Sequence, residues 1–221
     1  MQGYAFDIAH MLAGGLVLVS FMMIYQDRLY ALLNTFALQA VLLALAVAWQ
    51  AYSQGAHHLY ASAALALVFK GMIVPWALHR IVQRLGIQRE VETVAGVVPT
   101  MLAGIGLVAL SILLMLDLTE AAESAVARED LAFALSVILL GMLMMITRRN
   151  AVTQIVGFMS LENGLILAAA GAQGMPLVVE ISVAFSVLIA MIVIGVFLFR
   201  IRERFDSVDL EALDEFRGER R

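Results

Sequence analysis

A carboxylate stands in the middle of a long apolar stretch of this chain. Glu162 lies about 11 residues into the run 151–170, "AVTQIVGFMSLENGLILAAA", or roughly 16 Å along a helix. An ionised acid at the centre of a bilayer costs about 2.5–3.5 kcal/mol, so its presence needs a reason. A carboxyl group that gains and loses a proton there could act in a proton or cation relay. The alternative is a protonated acid that hydrogen-bonds a neighbouring helix and only stabilises packing.

A lysine occupies a similar place in another apolar run. Lys70 lies about ten residues into the run 60–79, too deep for its stem to reach water comfortably. Pro75 follows in "KGMIVP", and its missing N–H leaves the carbonyl of Gly71 without a helical partner. This spacing predicts a kink that admits water. The ammonium could alternate partners with a carboxylate such as Glu162, or the two could form a static buried pair.

Four further polar residues are candidates for the same path. Glu180 falls one turn into the last apolar run, where it could be the exit of a proton path or an ordinary first-turn acid favoured by the helix dipole. Gln39 is a candidate partner from the second run, although an interhelical hydrogen bond explains it equally well. Asp7 and His10 are spaced i, i+3 near the start of the first run.

Histidine and cysteine usage indicates no bound cofactor. Asp7 and His10 could form a metal site with His57 and His58, but histidines in loops are common, and we predict no metal site. No two histidines fall mid-membrane on different runs, which disfavours a bis-histidine haem. The chain has no cysteine, which excludes disulfides and thiolate-held iron–sulfur clusters.

These residues must be positioned by membrane-spanning helices. With 62% hydrophobic and 14% charged residues and a mean hydropathy of +0.93, the composition excludes a soluble globular domain. We predict an all-α membrane protein with seven transmembrane helices. The predicted spans are 6–24, 29–51, 60–79, 94–116, 131–147, 151–170 and 177–199.

The arginines predict the orientation of these spans. Most of them fall in one set of connections and in the tail, and the opposite set contains a single arginine, Arg128. The arginine-rich set comprises 26–28, 79–92, 147–150 and the tail from residue 200. The positive-inside rule then places the N-terminus outside and the C-terminus in the cytoplasm. We expect the spans to lie in the inner (cytoplasmic) membrane.

A weak internal repeat indicates how the chain is organised. Residues 22–33 resemble 144–155, and 78–84 resemble 198–204, which favours a parallel 3+1+3 arrangement, although short apolar matches also arise by chance. We expect four parts: a three-helix part, a linker helix with an acidic outer loop, a second three-helix part and an amphipathic tail that docks on a protein partner. Their bounds are 1–93, 94–130, 131–200 and 201–221.

Several motifs resemble those of known membrane complexes. "ITRRNAVTQIVGFMSLENGLILAAAG", "IGVFLFRIR" and "DSVDLEALDEFRG" resemble the K-type subunit of respiratory complex I and the C-type subunit of multisubunit sodium/proton antiporters. That resemblance covers about the last 90 residues. The whole chain, with "FKGMIVPWALHRI" and "MPLVVEISVAFSVLIA", resembles the E component of hydrogenase-4-type formate hydrogenlyase complexes.

The resemblance implies a role in a membrane arm that carries protons. It implies that Asn163 matches the family asparagine, but the family glutamate aligns with Met159, one turn away from Glu162. The second family glutamate aligns with Met191, and the expected aspartate near Ser186 is missing. These departures put a simple path through the last span in doubt.

The leading hypothesis is a non-catalytic subunit of such an oxidoreductase complex, without redox or hydrolytic residues of its own. It would bind antiporter-like and other membrane subunits laterally, lipid around its spans, and a soluble hydrogenase-like arm through its cytoplasmic loops and tail. No nucleic acid is expected as a partner. The alternatives are a subunit of a multisubunit cation/proton antiporter, a purely structural membrane scaffold, and an independent small-molecule transporter, which is disfavoured because nothing resembles a substrate pocket.

Overall fold

The computed structural model describes residues 2–85, 96–118 and 125–171, and the regular elements in these ranges are helices. They are α1 (Gln2–Tyr25), α2 (Leu29–Gln54), α3 (His58–Ala66), a π-helical segment (Leu67–Ile73), α4 (Val74–Leu85), α5 (Val97–Leu118), α6 (Ala125–Thr147) and α7 (Ala151–Gly171). The predicted all-α fold is confirmed over these ranges.

Within the same ranges, six helical stretches are long and apolar enough to cross a membrane. They are Asp7–Tyr25, Leu29–Gln54, His58–Arg80, Val97–Met115, Asp130–Thr147 and Val152–Gly171. The third is built from α3, the π-helical segment and most of α4. These stretches coincide with the first six predicted spans. The predicted seventh span, 177–199, and the tail, 201–221, lie outside the described residues.

Short turns separate α1 from α2, α2 from α3 and α6 from α7, and two of these turns have a specific cap. Helix α2 ends at Gly55, whose φ of 67° is left-handed and whose amide bonds back to Tyr52, as is common at helix C-termini. Helix α7 begins at the turn 148–150, where the side-chain oxygen of Asn150 accepts a hydrogen bond from the amide of Val152 at 2.8 Å. The predicted "RRN" turn therefore connects two antiparallel helices.

Glycines bring α6 and α7 unusually close together. A Cβ placed on Gly141 would lie 2.5 Å from the backbone nitrogen of Leu161, and one placed on Gly164 would lie 2.9 Å from the carbonyl oxygen of Ala134. Small residues allow such backbone contact between helices in membranes, where packing rather than hydrophobic exclusion drives association. The contact sets the position of α7, on which Glu162 lies.

Two apolar clusters lie above and below a polar layer. One includes Leu43 and Val47 of α2 together with Ile166 and Ala170 of α7. The other is formed by residues nearer the opposite end of the same helices, including Leu32, Leu33 and Phe36 of α2 and Val152, Val156 and Met159 of α7. Between the two clusters lie buried polar side chains from four elements. The layer is enclosed by α1, α2, α7 and the π-helical segment.

Candidate functional site

Six buried polar side chains meet in this layer, and we call them the polar cluster. The residues come from four elements, and each residue is at most 4% exposed: Ser20 (α1), Gln39 (α2), Lys70 (π-helical segment), and Ser160, Glu162 and Asn163 (α7). Buried polar groups are costly unless they bond to one another, so convergence of this kind constrains how the helices pack. Four of the six, Glu162, Lys70, Asn163 and Gln39, were predicted from the sequence as candidate site residues.

The lysine and the glutamate form an ion pair inside the cluster. The distance from Lys70 Nζ to Glu162 Oε2 is 3.3 Å. The same ammonium donates a hydrogen bond to Asn163 Oδ1 at 2.9 Å. Glu162 and Asn163 are consecutive on α7, so a single ammonium contacts two neighbouring side chains of one helix. The structure thus brings together the two ionisable groups that the sequence placed near the membrane centre.

Two amides and two serines extend the cluster from Asn163 towards α1. Asn163 Nδ2 donates to Gln39 Oε1 at 3.1 Å. Gln39 Nε2 donates to Ser20 Oγ at 2.8 Å and to Ser160 Oγ at 2.9 Å. Sequence analysis missed both serines. A serine in an apolar helix can bond to its own backbone, as Ser20 does with the carbonyl of Leu16, and therefore gives no signal of a tertiary role.

Lys70 is presented by an irregular part of the third span. The π-helical segment Leu67–Ile73 contains it, and Pro75 follows in the first turn of α4. Sequence analysis predicted a kink that admits water here, from the carbonyl of Gly71 that Pro75 leaves unpaired, and this stays a prediction. The structure places π-helical geometry on the residues before the proline. Single π-helical turns within α-helices occur frequently at functional sites.

The remaining predicted site residues lie elsewhere. Asp7 is exposed, and His10 is about ten residues, or roughly 15 Å of helix, from Ser20. His10 Nδ1 lies 3.3 Å from Asp130 Oδ1, and the ring of Phe133 packs edge-on against the imidazole. This pair joins α1 to α6 outside the polar cluster and was not predicted. Glu180 lies outside the described residues.

The part of the chain that the structure describes contains no group of three histidine, aspartate or glutamate side chains that could hold a metal ion. His57 and His58 are both exposed near the start of α3.

A buried arginine in the turn between α6 and α7 contacts the C-terminal end of α1. Arg148 is 2% exposed, and its Nη2 donates to the carbonyl oxygens of Ile24 at 2.5 Å and Gln26 at 3.1 Å, beside the C-terminus of α1. Burial lowers the pKa of the Arg148 guanidinium, and the charge of Asp27 partly raises it again. A cation at a helix C-terminus is favoured by the helix dipole. The next residue, Arg149, is exposed.

Comparison with known proteins gives one full-length relative. The chain is 31% identical over 207 residues to Uncharacterized protein Rv0085 of Mycobacterium tuberculosis, covering 93% of this chain and 94% of that protein. The two proteins belong to the same family. No family model matches the chain, and no solved structure matches it. The name of the mycobacterial relative states no activity, so function has to be argued from the polar cluster and from the sequence motifs.

Proposed function

We propose that this chain is a membrane-arm subunit of a complex I-like respiratory complex of the hydrogenase-4, formate hydrogenlyase type. Its buried Lys70–Glu162 pair contributes to redox-coupled translocation of protons or sodium ions. The observation that carries the proposal is this pair, with 3.3 Å between Nζ and Oε2, held between two apolar clusters. The sequence motifs support the assignment to the hydrogenase-4 type.

A buried pair of this kind can respond to a neighbouring charge. The ammonium and carboxylate attract strongly because little solvent screens them, yet each is costly to bury alone. Moving one proton from Lys70 to Glu162 converts the ion pair into a neutral pair without changing the net charge. A charge arriving in an adjacent subunit changes the relative energy of these two states. From the neutral pair, Glu162 would give its proton to a water molecule or a titratable group of that subunit, and Lys70 would take up a replacement proton, which restores the ion pair.

The proposal includes the surroundings of the chain. The six apolar helical stretches support a multi-pass membrane protein. We place it in the cytoplasmic membrane, and the distribution of arginines favours the arginine-rich end inside and the N-terminus outside. Antiporter-like and other membrane subunits of the same complex would contact it laterally, and lipid would cover the remaining apolar surface. A soluble hydrogenase-like arm would bind at the arginine-rich end.

Two other functions use the same residues. In a multisubunit cation/proton antiporter the pair would move charge without a redox partner, and co-purification with antiporter subunits but no hydrogenase-like subunits would identify that case. In a structural scaffold the pair would only specify helix packing, because a buried charge needs its partner.

The test is Glu162→Gln in the intact complex, with redox-driven proton translocation measured in membrane vesicles. Glutamine keeps the shape and hydrogen bonding of the side chain but cannot carry a proton. We expect normal assembly and electron transfer with slowed or abolished pumping. Asp7→Asn, which removes an exposed carboxylate near the start of α1 and outside the polar cluster, is the matched control and should pump normally. An assembled Glu162→Gln complex that pumps at the wild-type rate would assign the carboxylate to helix packing alone.

A further inference from the structure

The hydrogen bonds of the polar cluster are donated in one direction, from Lys70 towards α1. The main-chain carbonyl of Leu16, at the end of this series, determines that direction. Ser20 Oγ lies 2.8 Å from the carbonyl oxygen of Leu16. A carbonyl oxygen only accepts, so the hydroxyl hydrogen of Ser20 is committed to this bond. The oxygen of Ser20 must then accept its second bond, which Gln39 Nε2 donates at 2.8 Å. The orientation of the first amide is therefore set from α1.

That orientation passes through both amides to the lysine. With Nε2 directed at the serines, Gln39 presents Oε1 to Asn163, which must donate from Nδ2 at 3.1 Å. Asn163 is left with Oδ1 on its other side, where it accepts from Lys70 Nζ at 2.9 Å. Rotation of the Gln39 amide by half a turn would direct its N–H group at the N–H group of Asn163. Rotation of the Asn163 amide would direct an N–H group at the Lys70 ammonium and leave that buried cation without this acceptor.

We propose that Ser20 and Gln39 are positioning residues that act through Asn163 to hold the Lys70 ammonium beside Glu162, and that this branch of the cluster is not a proton route. An amide N–H does not act as an acid or base in the physiological range, and the branch ends on the carbonyl of Leu16. Protons therefore reach and leave the Lys70–Glu162 pair without passing through α1. The statement that this branch is not a proton route rests on the proposed function, whereas the positioning of the Lys70 ammonium does not.

The chain itself offers a site-specific probe of positioning, because Lys70 is its only lysine. Incorporation of ¹⁵Nζ-lysine into the full-length chain in lipid nanodiscs gives one side-chain ammonium resonance. Ser20→Ala removes the hydroxyl that orients Gln39, so the Lys70 resonance should move by more than its linewidth. Ser20→Thr keeps a hydroxyl that can bond the carbonyl four residues earlier, and should restore the wild-type position.

A second variant of the branch and a control variant complete the resonance test. Gln39→Met, of similar length but without hydrogen bonds, should move the same resonance even if Ser20→Ala fails to fold. Ser111→Ala removes another buried serine, whose hydroxyl contacts Ser136 on α6 outside the polar cluster, and should leave the resonance unchanged. Folded Ser20→Ala and Gln39→Met proteins with a wild-type Lys70 resonance would overturn the positioning role.

Proton pumping by the same variants in the intact complex tests whether the branch through Gln39 and Ser20 is a proton route. We expect Ser20→Ala to slow pumping without abolishing it, and to slow it less than Glu162→Gln does. Abolished pumping in Ser20→Ala with an unchanged Lys70 resonance would make the branch a proton route and overturn the proposal. Normal pumping in Glu162→Gln would contradict the proposed function but leave the resonance test of positioning intact.

Discussion

At the scale of single residues, the charge balance of the polar cluster depends on one lysine and one glutamate. Lys70 Nζ contacts Glu162 Oε2 at 3.3 Å and Asn163 Oδ1 at 2.9 Å, and both ionisable side chains are nearly inaccessible. Removing one member of a buried ion pair leaves the other charge uncompensated, whereas removing both can be nearly neutral. The pair should therefore show strong energetic coupling.

We expect Lys70→Met to lower the free energy of unfolding by about 3–5 kcal/mol, because it leaves the carboxylate of Glu162 buried without its cation. Glu162→Gln should also destabilise, and the Lys70→Met/Glu162→Gln double variant should lose much less than the sum of the two. Unfolding of the four proteins in mixed detergent micelles gives the coupling energy as a double-mutant cycle. Strictly additive losses would show that the two side chains do not interact in the folded protein.

The cluster residues that could be predicted from sequence are charged or carry an amide, and those that were missed are serines. Lys70 and Glu162 could be recognised because a charge in an apolar run is costly wherever the helix packs. Their mutual contact could not be predicted, since it depends on how the third span and α7 face each other. Ser20 and Ser160 gave no signal because a helical serine can satisfy itself locally. Asp130, which pairs with His10, appeared in the sequence only as one acid of an outer loop.

At the scale of elements, helices that cross a membrane can be predicted from sequence, but their local geometry cannot. A run of about 20 apolar residues must be helical in a bilayer, because every backbone group needs an internal partner. The first six predicted spans therefore agree with the structure to within a few residues. The π-helical geometry of Leu67–Ile73 was not predicted, because π-helical turns are rare and no residue type in this segment signals one. From Pro75 the sequence predicted a kink in this region, not a π-helical segment.

The two adjacent arginines between α6 and α7 provide a matched comparison of a buried and an exposed cation. Arg148 donates to backbone carbonyls at the end of α1, and hydrogen bonds from a charged group contribute about 1.5–3 kcal/mol each. We expect Arg148→Ala to lower the free energy of unfolding by more than about 2 kcal/mol, and Arg149→Ala to change it by less than about 0.5 kcal/mol. Thermal unfolding in detergent measures both, and equal effects would mean that the contact with α1 contributes nothing.

At the scale of the whole molecule, the helices that the internal repeat would pair are in contact. An offset of about 122 residues relates α1 to α6 and α2 to α7, and each of these pairs packs together. Gln39 on α2 bonds to Ser160 on α7, which is 121 residues further along the chain. Equivalent positions meet when two repeats face each other across a common axis. The polar cluster would then lie where the two parts of the chain meet, and one part would contribute the acid.

The proposed function also requires one orientation of the molecule in the membrane, and the cysteine-free chain makes this testable. Ser53 is exposed at the end of α2, and Asp27 is exposed in the turn between α1 and α2, at the opposite end of that helix. A membrane-impermeant maleimide should label Ser53→Cys in intact cells, and should label Asp27→Cys only in inverted vesicles. Neither variant removes an arginine, so the charge bias that predicts the orientation is preserved. The reverse labelling pattern would place the arginine-rich end outside, where a cytoplasmic hydrogenase-like arm could not bind it, and the subunit assignment would fail with the topology.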